Sequence, residues 1–454
     1  MEPGVSRFGG GVTATVLYPV VAIALLIAII LILFLPRKYV IVPLLLATFV
    51  IPVTGQVVVV GGVHFTALRI LVLFGCVRLM LSRFSSPKGA WLGGFNPIDQ
   101  AVTLCVLFDT LSCLLLWMEW PAVINRLGTL LDALGGYFVL RFLIRDQEDL
   151  RRAIKVFAVI ATVMAISMIR EQVTRQNLFW QGTLMGTSTV RDGSIRSQGA
   201  FQVYLMAGAF GATLLPLVVW LWKDGRSRIV AATGVISSAV MTWTSGSSTP
   251  IGTYAAGLLA LCFWPFRKQM RFLRWGLAIT LVGLHLVMKA PVWHLIGRVD
   301  LTGSSTSYHR FMLVDSCIRH FSDWWLIGTK NNANWGWEMW DTSNQYVSYA
   351  VSGGLATLVM FILIIARSFG RIGAARKLAQ GDFKQEWLLW CLGAALFAHV
   401  VGYFGVGYDS QMQMAWFALL ALISVATSEA MRPAAVHLQN PGESQLASSS
   451  LIHA

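Results

Sequence analysis

Charge is what this sequence has least of. Only 12% of its 454 residues are Asp, Glu, Lys or Arg, while 56% are hydrophobic. A soluble domain ordinarily carries about 25% charged residues, so an ordinary water-soluble fold is excluded. The apolar blocks also lack the alternation of apolar and polar positions that marks barrel strands of about ten residues. Cysteines are few: Cys76, Cys105, Cys113, Cys262 and Cys391 lie inside apolar blocks, and only Cys317 lies in a polar connection. That distribution gives no disulfide framework. The first apolar block has no basic segment before it and no small-residue cleavage site after it, which predicts a retained helix. No internal repeat is visible, which counts against an inverted-repeat transporter. The formal charge of +14 comes without an aromatic–basic platform, so it is not the footprint of a nucleic-acid partner.

What is present is a series of apolar blocks. A bilayer core of about 30 Å takes about 20 helical residues, and residues 12–35 supply that length without a charge. Similar blocks recur at 39–53, 67–81, 101–117, 127–143, 154–169, 203–222, 229–244, 251–266, 275–287, 353–366, 388–406 and 412–426. The expectation is an all-α polytopic integral membrane protein with about 12 to 13 transmembrane helices. Basic residues cluster in every second connection, as at Arg37-Lys38, Arg151-Arg152, Arg267-Lys268 and Arg376-Lys377. Such a bias marks the cytoplasmic side. It leaves two long outer loops, at about 170–202 and 289–352, in a single transmembrane domain of residues 1–427. The polar, Ser-rich residues 428–454 are expected to form a disordered cytoplasmic tail. Long connections on a helical scaffold are where recognition concentrates.

The second loop predicts a helix capped by Ser304, Ser305 or Thr306, with Phe311, Val314, Ile318 and Phe321 on one face. Asp315 and Arg319, four apart, are expected to pair on the opposite face. Arg310 falls on the apolar side, where a cation requires either a structural carboxylate or an anionic ligand. Within the apolar blocks, Arg69, Asp109 and Asp132 stand at similar depth on consecutive helices. Charges there are costly unless paired. The expectation is one ion-paired cluster, either structural or on a proton or substrate path.

The polar connections hold an ordered set of short motifs. Ser304-Ser305-Thr306-Ser307-Tyr308-His309-Arg310 is followed by His320-Phe321-Ser322-Asp323, Leu326-Ile327-Gly328, Ser343-Asn344-Gln345-Tyr346 and then Gly354. Upstream, Arg196-Ser197-Gln198-Gly199-Ala200-Phe201 leads into a block ending Leu214-Leu215-Pro216-Leu217, and Thr244-Ser245-Gly246-Ser247-Ser248 separates two blocks. In order and placement, the stretch 196–368 resembles the O-antigen ligase and O-antigen polymerase superfamily, as a divergent member. The resemblance implies a membrane-embedded glycosyltransferase of cell-envelope polysaccharide biosynthesis. Such an enzyme moves a glycan from a polyprenyl diphosphate carrier to an acceptor hydroxyl at the outer face of the bacterial cytoplasmic membrane. It implies no cofactor and no metal. Its implied partners are the carrier-linked oligosaccharide, the lipid bilayer and other envelope polysaccharide-export proteins. It further implies that Arg196 and Arg310, with Arg298 as a third, hold the diphosphate. Guanidinium suits that role, because its fixed fork of donors matches phosphate and never loses its charge.

This chain departs from the family pattern at three places. The usual His before the Asn is Ser343, the last Gly is Thr357, and the usual His-Pro-Asn after Phe201 reads Val203-Tyr204-Leu205. These departures point toward an O-antigen or exopolysaccharide polymerase-like transferase. The alternatives are a ligase to lipid A core, or a non-enzymatic transporter or flippase of glycolipids. Serine does not accept a sugar hydroxyl proton at neutral pH, so another group must. Asp341 is the first candidate, His309 the second and Glu338 the third. Asp341 is equally suited to N-cap the following helix. Trp340 and Asn344, with Trp324, Trp325, Asn331, Asn332 and Asn334, offer ring faces and amides for a sugar. An interfacial aromatic belt is the competing reading of the tryptophans. The expected site thus has Asp341, His309 and Arg310 as catalytic residues, and Arg196, Arg298, Asn344 and Trp340 as substrate-binding ones.

Overall fold

The computed structural model describes residues 8, 14–52, 56–85, 94–180, 188–191, 193–298 and 306–439. Apolar runs in lipid must satisfy their own backbone, and helices do so within one segment. The first half holds α1 (Pro19–Phe34), α2 (Arg37–Val50), α3 (Ala67–Ser85), α4 (Pro97–Trp117), α5 (Trp120–Leu130), α6 (Gly136–Leu143) and α7 (Gln147–Thr174). Then follow α8 (Tyr204–Asp224), α9 (Arg228–Thr244), α10 (Ser248–Cys262), α11 (Met270–Val287), α12 (Leu295–Arg298), α13 (Thr306–Arg319) and α14 (Phe321–Trp324). The chain finishes with α15 (Gln345–Leu378), α16 (Phe383–Gly402) and α17 (Ser410–Gln439). Among the described residues, seven helical spans are long and apolar enough to cross a bilayer: α4, α5 with α6, α7, α8, α11, α15 and the first part of α17. The chain is a multi-pass helical membrane protein.

α8 lies at the centre, packed on α9, α10 and α16. Its glycines permit that closeness, since a Cβ at Gly211 would stand 2.9 Å from the Ser238 carbonyl of α9.

Several boundaries differ from the sequence expectation. The first helix begins at Pro19, a residue suited to the opening turn, and Val16 before it bridges to Val57 in extended form. Among the described residues two short hairpins accompany the helices: β1 (Val57–Val60) with β2 (Val63–Thr66), and β3 (Thr189–Arg191) with β4 (Ser194–Arg196). The first turns through Gly61 and Gly62, both at positive φ, which only glycine adopts without strain. The block at 127–143 starts earlier, at Trp120, and contains a π-helical turn, Leu131–Gly135. α17 continues to Gln439, so the tail expected to begin at 428 is helical at its start; 440–454 lie outside the described residues. Arg371 on α15 anchors that start through Thr427 and Ser428 hydroxyls at 3.2 and 3.1 Å.

α15 is broken near its beginning. Gly354 takes φ 74° and ψ −172°, which takes neighbouring backbone groups out of the helical ladder. The loop at 325–329 replaces the missing partners: Thr329 N donates to Val351 O at 2.9 Å, and Leu355 N donates to Trp325 O at 2.8 Å. Gly328, at φ +85°, has no room for a Cβ against the Val351 carbonyl. Gly328→Ala is therefore expected to undock this loop, adding a clash to the roughly 1–2 kcal/mol of a left-handed alanine. Limited proteolysis should cut the connection ahead of α15 faster in the variant; native protection would contradict this account.

Arg69, Asp109 and Asp132 are each paired, though in two groups rather than one. Arg69 Nη2 meets Asp132 Oδ2 at 2.8 Å, and its Nη1 donates to the His64 carbonyl at 2.9 Å. Asp109 pairs with Arg126 at 2.7 Å and accepts from Ser352 Oγ at 2.8 Å. The expected Arg69–Asp132 pair is present, whereas Asp109 answers to an arginine that the sequence reading had passed over. Both partners of the first pair are largely buried, so removing one strands a charge. Arg69→Ala is expected to cost about 3 kcal/mol, with most of that recovered in Arg69→Ala/Asp132→Ala. Thermal melts of both proteins in detergent test this, and equal losses would contradict it. A third pair, Arg141 with Asp99 at 2.9 Å, is completely buried, with Tyr137 donating to the same carboxylate at 2.5 Å.

Candidate functional site

The long connection ahead of α15 folds onto that helix through a small core of its own. Leu313, Cys317, Trp324, Trp335 and Met339 pack with Val347 and Ala350. Burial there pushes the Cys317 thiol up to about 12, which leaves it unreactive at neutral pH. This core sets the rotation of α13. Its buried side is Arg310, Leu313 and Cys317, not the expected Phe311, Val314, Ile318 and Phe321. Ile318 and Phe321 are 47% and 45% exposed. Arg310 nevertheless points inward, as its place on the apolar side required. The Asp315–Arg319 pair forms at 2.6 Å, with Asp315 also accepting from Trp293 Nε1 at 3.1 Å.

Arg310 Nη1 donates to Ser248 Oγ, 3.1 Å away at the start of α10. Its Nε lies against Gly405, where a Cβ would stand 2.9 Å off. Arg196 arrives at the same place from β4. Its Cγ packs on Gly246, 3.2 Å from where a Cβ would be, and Gly246 turns at φ +58° between α9 and α10. The hairpin is tied to this turn: Ser197 N donates to Thr244 O at 3.1 Å, and Gln172 Nε2 donates to both Ile195 O and Thr244 O at 2.9 Å. Two arginines far apart in sequence thus reach residues two apart, Arg196 through its Cγ on Gly246 and Arg310 through its guanidinium on Ser248.

The Arg196 side chain is 5% exposed. It donates from Nη1 to Tyr204 Oη at 2.9 Å and stacks on that ring, 5.0 Å from its centroid. Among the described residues no carboxylate pairs with it, and its buried Nε has no acceptor. The Glu171 carboxylate at the end of α7 serves the turn after Arg196 instead. Glu171 Oε2 accepts from Asn177 Nδ2, Gln198 N and Gly199 N, each at 3.1 Å, and so holds the turn that follows Arg196.

The proton-acceptor candidates gather on one carbonyl. Glu338 O accepts from His309 at 3.1 Å and from Asp341 N at 3.1 Å. A carbonyl only accepts, so His309 Nε2 carries the hydrogen and a neutral ring presents its lone pair at Nδ1. Glu338 itself sits at φ 55°, an uncommon conformation for a residue with a side chain. The Asp341 carboxylate is exposed and makes no hydrogen bond to the described residues. Nor is it the helix cap. That role falls to Asn344, whose Oδ1 accepts from Tyr346 N and Val347 N at 3.0 and 3.1 Å. Asn344, expected to bind substrate, is fully buried and spends its remaining amide on Phe404 O at 3.3 Å. Trp340 is 67% exposed, as a surface-binding ring would be. Arg298 ends α12, and its side chain lies outside the described residues.

One contributor was missed altogether. The connection between α16 and α17 brings Gly405 to Arg310, and Tyr403 O to Gln345 N at 2.9 Å. Its Gly402, Gly405 and Gly407, set between aromatics, were the available signal. Among the described residues no group of His, Cys, Asp or Glu is arranged to hold a metal ion. No protein-family model matches the chain, and no curated protein is significantly similar to it.

Proposed function

We propose that this protein transfers or polymerises a glycan from a polyprenyl diphosphate carrier onto an acceptor sugar. In this reading the helices make about 12 to 13 crossings. The connections bearing Arg196 and Arg310 then face the outside of a bacterial cytoplasmic membrane. The observation that supports it is that both arginines reach the α9–α10 connection, Arg196 with its Cγ on Gly246 and Arg310 with its guanidinium on Ser248, with Arg196 lacking a carboxylate among the described residues. A buried cation without a counter-charge favours an anionic ligand, and a guanidinium pair suits a diphosphate.

The acceptor hydroxyl attacks the anomeric carbon while its bond to the diphosphate breaks, and the diphosphate leaves with the electron pair. The arginines stabilise the growing charge on that leaving group. His309 takes the hydroxyl proton, since it neighbours Arg310 and has an open lone pair, whereas Asp341 stands free in solvent. A transporter reading would want a broken helix with open backbone groups, but those freed at Gly354 are taken up by residues 325–329. The deciding assay supplies the protein in liposomes with a carrier-linked oligosaccharide. Longer glycans and released carrier diphosphate are expected; unchanged donor would sink the proposal.

A further inference from the structure

Arg310 meets α10 at its first residue; at the opposite end of α10, four rings and three cations form a block. Phe383, Trp387 and Trp390 follow one another on α16 at spacings of four and three, so they share one face. Trp264, just past α10, meets all three, with ring centroids 5.6, 4.9 and 5.7 Å away. Each cation lies against a ring. Lys223 Nζ, in the last turn of α8, is 4.5 Å from the Phe383 centroid and 4.7 Å from that of Trp387. The Arg267 guanidinium is 4.3 Å from the Trp264 centroid, and that of Arg376, in the last turn of α15, is 4.8 Å from that of Trp390. Arg376 Nη2 also donates to the Arg267 carbonyl at 3.0 Å, which joins the two arginines. Negative charge is short there. Glu386 pairs with Arg267 at 3.2 Å, and Asp382 is spent as the cap of α16, accepting from Lys384 N and Gln385 N. Among the described residues no carboxylate pairs with Lys223 or Arg376, and the buried Arg376 Nε and Trp387 Nε1 have no acceptor.

Any multi-pass protein carries excess Lys and Arg on its cytoplasmic side, so cations alone mark no site. These are held in place. A ring attracts a cation through its quadrupole, yet leaves its charge uncancelled and most of its N–H donors free. Fixed, uncompensated cations among interfacial rings suit an anion at the depth of lipid headgroups. We propose that this block binds the phosphodiester head of an anionic phospholipid in the adjoining leaflet, with Lys223 and Arg376 on the phosphate. The inference does not rest on the transfer reading. A phosphodiester supplies the missing charge and the missing acceptors, and the fork of Arg376 matches its oxygens. Trp222 and Phe266, next in sequence to Lys223 and Arg267, are half exposed and offer apolar surface to the lipid chains, which a free phosphate would not use. The block draws on α8, α15, α16 and the connection after α10. A bound head therefore braces the ends of these helices and stabilises the fold by mass action.

The test uses the full protein in neutral detergent, with native mass spectrometry reading retained lipid and a thermal melt beside it. Added phosphatidylglycerol is expected to be retained and to raise the melting temperature, and phosphatidylcholine to do neither. Lys223→Gln and Arg376→Gln should each weaken retention about fivefold, the equivalent of one cation near an anionic surface. Lys223 is exposed, so Lys223→Gln decides the matter if Arg376→Gln fails to fold. Lys268→Gln/Arg271→Gln removes two exposed cations near the same connection and should leave retention unchanged. Equal retention of phosphatidylcholine, displacement of the lipid by inorganic phosphate, or unchanged retention in Lys223→Gln would each overturn the proposal. So would an equal loss in Lys268→Gln/Arg271→Gln, which would reduce the block to general surface charge.

Discussion

Arg310→Ala should abolish glycan extension while the protein still folds. The side chain is 9% exposed and donates to Ser248, at the turn that Arg196 also reaches. Its removal takes away a positive charge and a planar fork of donors at the point where the leaving diphosphate would gain charge. Loss of one such preorganised donor elsewhere costs about a hundredfold or more in turnover. Arg310→Lys separates charge from geometry. An ammonium keeps the charge but cannot make two parallel contacts, so the Lys protein is also expected to fail substantially. Melting temperature and elution volume, measured beside extension, distinguish lost chemistry from lost fold. A Lys variant with full activity would remove the diphosphate from this side chain.

The second large effect is expected at His309. His309→Gln keeps a donor for the Glu338 carbonyl but removes the lone pair at Nδ1, so turnover should fall at least about a hundredfold, the low end for acid–base catalysis. Asp341→Asn, by contrast, should change turnover only a few-fold, because the carboxylate is exposed and makes no hydrogen bond to the described residues. The sequence alone ranked these two the other way round. Full activity in His309→Gln together with a hundredfold loss in Asp341→Asn would restore that order.

Some features follow from residue type and spacing without tertiary help. The inward turn of Arg310 was legible because one apolar side of a helix contained it. The Asp315–Arg319 pair was legible because residues four apart on a helix are neighbours. The hairpins could have been read too, since Gly61-Gly62 and Asp192-Gly193 each stand between short runs suited to strands. Other features were not open to such reading. Arg69 and Arg126 both stand on helices flanking Asp109 in sequence, and only packing selects Arg126 over Arg69. Glu171 looks like one more polar residue at a helix end until its carboxylate is seen to gather three N–H donors from two other segments.

By itself the sequence determined that this is a helical membrane protein, because scarce charge and long apolar runs leave a chain no other way to satisfy its backbone in lipid. It also singled out Arg310, as a cation on the apolar side of a helix, whereas Arg196 was named only through the resemblance of its motif. Only the tertiary structure decided that both reach the α9–α10 connection. That placement depends on contacts between segments distant in sequence: β4 against the α9–α10 turn, α13 against α10, and Gly405 against both Thr249 and Arg310. Local periodicity carries no information about such contacts. The rotation of α13, the break in α15 and the role of Asn344 were settled in the same way, by the surfaces available for each to pack on.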